Sequence, residues 1–233
     1  MLLEVKDLEA SYGKRKILYA VSMAIHPGEI VSLIGHNGAG KSTTLRSIFG
    51  LVIPLHGKVS FLDRDVTLAG PAEKLEMGIF HVPQENFLFN DLTIRDNLEM
   101  ACFTVNNPAR FASKLKDVYG LFPVLGQRQG QLAGTLSGGE RRMLGIGMSL
   151  LRDPKLLLVD EPSSGLSPVM FQNAVQVIQK INQNQGAAVL LVEQNVKVAF
   201  KISQRVYVMK AGSIILEDTG KNLLERKEWW DLF

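Results

Sequence analysis

One short loop constrains this chain more than any other stretch. Gly35-His36-Asn37-Gly38-Ala39-Gly40-Lys41-Ser42-Thr43 fits the G-x-x-x-x-G-K-[ST] pattern without a gap. The preceding run, Glu29 to Ile34, is short, apolar and β-branched, as a buried strand is. The following run, from Lys41 to about Leu51, reads as a helix stopped by Pro54. In that strand–loop–helix context the glycines let successive N–H groups face one concavity at the positive end of a helix, where a polyphosphate fits. Lys41 would reach the β- and γ-phosphates as a point charge, and the Ser42 hydroxyl would bind Mg²⁺.

Asp160 closes a second buried run, Lys155 to Val159, so it stands at the carboxyl edge of a sheet, where open α/β sheets bind ligands. A carboxylate there can hold Mg²⁺ opposite Ser42. Glu161 projects differently and can polarise a water for attack on a γ-phosphate. A third motif, Leu136-Ser137-Gly138-Gly139-Glu140, puts a hydroxyl and two glycine N–H groups at another helix start. A match to five fixed residues arises by chance in about one chain per thousand.

Between these motifs, buried strands alternate with helical patterns, which implies an α/β fold with a mainly parallel sheet covered on both faces. Four strands near the N-terminus (Leu2 to Leu8, Ile17 to Ile25, Glu29 to Ile34 and Gly57 to Leu62) suggest an antiparallel sheet beside the core. Segment 92–135 reads as a helical insertion: Thr93 can cap one helix, and Phe111, Leu115, Val118 and Tyr119 share a face of another. Helices are expected from Arg141 to Leu151 and from Pro168 to Gln185, and a hairpin over Val206 to Glu217. A short helix is expected in the tail from Lys221 to Phe233, with Trp229 and Trp230 packed on the domain. The 233 residues suit one domain.

Composition excludes several classes. Apolar residues make up 46% and charged ones 21%, an ordinary globular balance rather than a disordered one. No run approaches the ~20 apolar residues of a membrane span, and no charged-then-apolar leader opens the chain, so a cytoplasmic location is expected. The single cysteine, Cys102, excludes an internal disulfide and reads as a buried spectator. A net charge of +3 gives no case for nucleic acid, and Lys14-Arg15-Lys16 reads as a solvated turn.

Together the three motifs resemble those of ABC-type ATPase subunits, a branch of the P-loop NTPases, and the likeness spans essentially the whole chain. The resemblance implies an N-terminal antiparallel β subdomain and an inserted helical subdomain over about 92–135. It also implies a head-to-tail dimer in which each ATP lies between one phosphate loop and the partner's Ser137-Gly138-Gly139. Tyr12 matches the aromatic that stacks on adenine. Gln84, after Pro83, matches the glutamine that senses Mg²⁺ and the membrane partner.

Two positions depart from the family pattern. Val192-Glu193 is followed by Gln194 where the family usually has His, and Ser167 stands where Asp is common. Gln cannot ionise, but its amide can hydrogen-bond a γ-phosphate oxygen, which gives Gln194 a positioning and sensing role beside Glu161 as base. These residues, with Ser164 to Pro168 and Leu121-Phe122-Pro123, resemble an ATPase of branched-chain (hydrophobic) amino acid importers, with urea importers close behind. The implied partners are a second ATPase subunit, identical or different, membrane-spanning permease subunits on whose cytoplasmic face the chain sits, and indirectly a periplasmic solute-binding protein. Export is the competing reading, against which Gln194 counts. A soluble ABC protein of translation or DNA repair would carry a second cassette or a coiled-coil insertion. A non-hydrolysing regulatory subunit would not need intact Lys41, Asp160 and Glu161.

Overall fold

The computed structural model describes residues 1–84, 88–102, 107–163 and 168–226. Two sheets share one interior. The first is antiparallel: β1 (Leu3–Tyr12) lies between β2 (Arg15–Ile25) and β4 (His56–Phe61), with the two-residue β5 (Arg64–Asp65) on the outer edge. Of the four N-terminal strands expected there, one goes elsewhere. β3 (Ile30–Ile34), apolar but for Ser32, is buried at every position and joins the second sheet, as a strand does when both its faces are covered. Arg64 and Asp65, too short and polar to show a pattern, supply the fourth strand instead.

The second sheet runs β10 (Ser213–Thr219), β9 (Arg205–Lys210), β3, β8 (Ala188–Glu193), β7 (Leu156–Asp160), β6 (Ile79–Val82). Only the β9–β10 hairpin is antiparallel. In its register Ile34 stands opposite Glu193, and Asp160 opposite Val192, so three strands end at one edge. That edge carries the site.

The helix after the phosphate loop, α1 (Lys41–Phe49), stops sooner than Pro54 suggests. Gly50 takes φ 90°, and its N–H bonds back to the last turn. A Cβ is disfavoured in that conformation, so glycine ends the helix before the proline can. Then come α2 (Pro71–Met77) and three helices of the middle segment: α3 (Ile94–Ala101), α4 (Pro108–Leu121) and α5 (Pro123–Gln127). Thr93 and Asp96 form a capping box on α3, as the sequence suggested for Thr93. Leu98, Val118 and Leu125 from this segment share a core with Leu144 and Ile146 of α6 (Gly138–Leu150).

In α7 (Pro168–Gln185), Ala174, Val177, Ile178 and Ile181 are buried on one face as expected. The last helices are α8 (Val196–Ile202) and the short α9 (Gly220–Glu225). Trp229, Trp230 and Ser167 lie outside the described residues. Cys102 is buried, with its thiol against the Leu151 carbonyl oxygen and its pKa pushed up by burial. No helix among the described residues is long and apolar enough to cross a membrane.

One buried charge is poorly matched. Lys74 of α2 is 0% exposed, and its Nζ has no hydrogen-bond partner. It lies beside Gly50, at the electronegative end of α1. Burial lowers its pKa from 10.5 to about 8. The unfolded chain therefore binds more protons between those values, and folding is penalised at lower pH and relieved as pH rises through that window. Lys74→Met should stabilise the fold at pH 7 by about 1–3 kcal/mol, with most of the gain gone by about pH 10. Urea unfolding at both pH values checks this; a less stable variant at pH 7 would show that the attraction to α1 outweighs desolvation.

Candidate nucleotide-binding site

The loop from Gly35 to Gly40 crosses the edge of the second sheet. At Gly35 a Cβ would overlap the Met209 carbonyl oxygen of β9. Gly40 takes φ 110°, and a Cβ there would meet Leu18 of β2. Only glycine allows the backbone to pass between the two sheets in this way. The loop then opens α1, and Lys41 folds back over it. The buried Lys41 ammonium donates to the carbonyls of Gly35 at 2.8 Å and His36 at 3.0 Å.

The same ammonium lies 3.7 Å from the Oε1 of Glu161. Burial pulls the Lys41 pKa down, and the Glu161 and Asp160 charges oppose that. Glu161 is itself buried and follows β7 with φ 46°, the left-handed region that a residue with a Cβ rarely adopts. Its Oε2 accepts from the amide nitrogens of Gln194 at 2.6 Å and Gln84 at 3.1 Å. One carboxylate thus meets a lysine and two side-chain amides drawn from three other segments of the chain.

Beside it, Ser42 Oγ donates to Asp160 Oδ1 at 2.9 Å. Burial raises the pKa of Asp160, with the Ser42 bond opposing and the neighbouring Glu161 adding to the rise. Glu193, the last residue of β8, is fully buried and aims the turn after it. It accepts from the backbone N–H groups of Gln194 and Asn195 and from both the N–H and hydroxyl of Ser163. Burial raises its pKa too, and those donors hold the rise in check.

A cleft of about 450 Å³ is lined by Asn37, Gly38, Gly40 to Thr43, Gln84, Glu161 and Gln194, together with Arg15 and Ile17, while the buried Asp160 and Glu193 support it without lining it. Arg15 corrects the sequence reading. The turn is confined to Gly13 and Lys14, while Arg15 begins β2 and reaches the cleft. Its place in a run of three basic residues gave no sign of this. Tyr12, at the end of β1, is half exposed, and its hydroxyl accepts from Arg46 at 3.4 Å. His36 is exposed on the loop and Ala39 is buried within it.

Ser137, Gly138 and Gly139 of the third motif do not line this cleft. Ser137 caps α6 in a capping box with Glu140, whose carboxylate accepts the Ser137 N–H and has a lowered pKa as a result.

The donor set near Asp160 suits a hard cation: a hydroxyl and a carboxylate, both oxygen, whose buried negative charge a divalent ion would offset. Among the described residues no three His, Cys, Asp or Glu side chains gather into a complete cage. A cation here would fill its shell with ligand oxygens and water, as Mg²⁺ does beside phosphates.

Comparison with known proteins shows the family and the fold. A family model described as "ABC transporter" matches residues 18–164. The high-affinity branched-chain amino acid transport ATP-binding protein BraG of Pseudomonas aeruginosa is 38% identical, covering 100% of this chain and 99% of its own. The probable branched-chain amino acid transport ATP-binding protein LivF of Archaeoglobus fulgidus is 36% identical over 98% and 96%. The lipopolysaccharide export system ATP-binding protein LptB of Haemophilus influenzae is 33% identical over 97% and 94%. Among solved structures, a nucleotide-free ATP-binding cassette from an ABC transporter superposes with TM-score 0.86 at 25% identity, over 99% of this chain and 98% of that one. A dimeric post-hydrolysis cassette bound to ADP and Pi superposes with TM-score 0.80 at 26% identity, over 94% and 98%. The chain belongs to the ABC transporter family, as one of its ATP-binding, ATP-hydrolysing subunits.

Proposed function

We propose that this chain is the motor of an importer for branched-chain or other hydrophobic amino acids, working through membrane-spanning permease subunits at the cytoplasmic face of the membrane. The observation that carries the reading is the full-length likeness to BraG and LivF, both named for branched-chain amino acid transport. Export is the second reading, because LptB is also a full-length relative. Urea or another small solute is a third. Disrupting the gene and measuring uptake of labelled leucine, isoleucine and valine tests the choice. A fall of about tenfold or more is expected; unchanged uptake of all three, with an envelope lipid defect, would favour export.

Within the cleft, the N–H groups of the Asn37–Lys41 loop and the Lys41 ammonium take the β- and γ-phosphates, while Tyr12, which does not line the cleft, would stack on an adenine that extends beyond it. Ser42, Asp160 and Gln84 would hold Mg²⁺ with phosphate oxygens, and the ion supplies charge neutralisation there. Glu161 accepts the proton of the attacking water. Gln194 orients that carboxylate through its amide and can turn the same N–H groups to a γ-phosphate oxygen. The helix start at Ser137-Gly138-Gly139 serves the ATP of a partner ATPase subunit, which explains an anion-binding terminus outside the chain's own cleft. The dimeric cassette bound to ADP and Pi supports this pairing. Closing around ATP and reopening after hydrolysis is the motion that would drive the permease.

Gln194→Ala tests the role of that amide. Turnover should fall about 10- to 100-fold, since a positioned base or a phosphate-facing donor contributes on that order. ATP affinity should stay within about threefold, because Lys41 and the loop are untouched. Unchanged steady-state turnover would remove Gln194 from the machinery.

A further inference from the structure

Arg142 is the fifth residue of α6, and unlike most surface cations of a helix its side chain is buried. Its guanidinium donates to three backbone carbonyls: Nη1 to Pro83 at 2.5 Å, and Nη2 to Gln84 at 2.9 Å and Glu161 at 3.3 Å. Those carbonyls belong to two loops far apart in sequence, the ones whose side chains meet when Gln84 Nε2 donates to Glu161 Oε2. Arg142 therefore grips from behind the two residues that face each other in the cleft. A guanidinium suits this task, because its donors form a rigid planar fork and its charge persists at every accessible pH.

The hold on Glu161 matters most. Its φ of 46° is one that a residue with a Cβ leaves unless its neighbours fix it. The Glu161 N–H donates to the Val192 carbonyl at 2.9 Å, and its own carbonyl accepts from Arg142. The peptide units on both sides of Glu161 are thus pinned, one by β8 and the other by α6. Ser137, the N-cap of α6, lies five positions before Arg142.

We infer that Arg142 is a positioning residue for hydrolysis, which makes the alignment of Glu161 and Gln84 depend on the seating of the helix that carries Ser137. The inference rests on the role of Glu161 as base given above. A displacement of α6 shifts the guanidinium, and both loops shift with it.

The test uses the full chain assembled with its membrane partners, in parent, Arg142→Gln, Arg142→Lys, Glu161→Gln and Glu161→Gln/Arg142→Gln forms. ATP affinity and kcat are measured on each. Arg142→Gln should lose about tenfold or more in kcat with its ATP Kd within about threefold, since phosphate binding does not use Arg142. Arg142→Lys, which keeps the charge but not the fork, should recover about threefold of that loss. In the Glu161→Gln background, Arg142→Gln should cost less than about twofold more, because residues that act through one another are not additive.

A kcat within about twofold of parent in Arg142→Gln would overturn the inference, and so would a second tenfold loss in the Glu161→Gln background. Should Arg142→Gln not fold, Arg142→Lys decides. Reduced kcat at unchanged Kd supports the inference, and parent-like kcat overturns it. Parent-like turnover in the Glu161→Gln single variant would remove the base assignment and the inference with it, a failure told apart by its appearance without any change at Arg142.

Discussion

Lys41→Ala should weaken ATP binding by about a hundredfold or more. The ammonium is buried at the mouth of α1 and donates to the Gly35 and His36 carbonyls, so its stem is already fixed before nucleotide arrives. A charged hydrogen bond contributes about 1.5–3 kcal/mol, and two phosphate oxygens would accept from this one group. Losing both amounts to about 3–6 kcal/mol, or roughly two to four orders of magnitude in Kd. A second effect has the same sign. Lys41 is the cation 3.7 Å from Glu161, and without it the buried carboxylate faces the incoming phosphates uncompensated. Titration of a fluorescent ATP analogue checks this; a Kd within about threefold of parent would contradict it.

Ser137→Arg should instead lower turnover by about a hundredfold or more while leaving ATP affinity within about threefold. Ser137 lies outside the cleft that contains Lys41, so the phosphate-binding groups of that cleft are untouched. What changes is the start of α6. In the proposed pairing the serine hydroxyl and the glycine N–H groups behind it face the phosphates of a partner's ATP, and a long side chain would fill the space that ATP needs. Loss of the cap itself costs about 1 kcal/mol, which a domain of this size withstands, so the melting temperature should move by a few degrees at most. A large loss of turnover with an intact fold and intact ATP binding marks a contact made to a neighbouring subunit, provided that Ser137→Ala, which removes the cap without filling the space, keeps turnover within about threefold of parent. Parent-like turnover would leave Ser137 as a helix cap only.

What could be read from the sequence depended on whether a residue's partners lie close to it in the chain. The loop from Gly35 to Thr43 and the cap at Ser137 are written in consecutive residues, because their chemistry is made by backbone N–H groups of one turn. The core strands were legible for the same local reason: β7 and β8 are apolar up to their terminal acids, and β3 is apolar but for Ser32. Contacts across the fold were not. Nothing local indicates that Gln84 and Gln194 bond the same oxygen of Glu161, since β6, β7 and β8 must first stand side by side.

Arg142 was missed because a basic residue in a helical pattern reads as a solvated face, and only the loops above it show otherwise. Arg15 was hidden in the same way inside a basic run. The two-residue β5 and the early stop at Gly50 were lost to weak or competing signals, a short polar pair in one case and the more conspicuous Pro54 in the other.

The central claim is that this chain holds two halves of different ATP sites, one that binds nucleotide and one that completes a partner's site. Equilibrium ATP binding to Lys41→Ala and Ser137→Arg, measured side by side on the same preparation, tests it most directly. The account predicts a loss of about a hundredfold or more in the first and parent-like affinity in the second. Equal loss of ATP binding in both variants would contradict it.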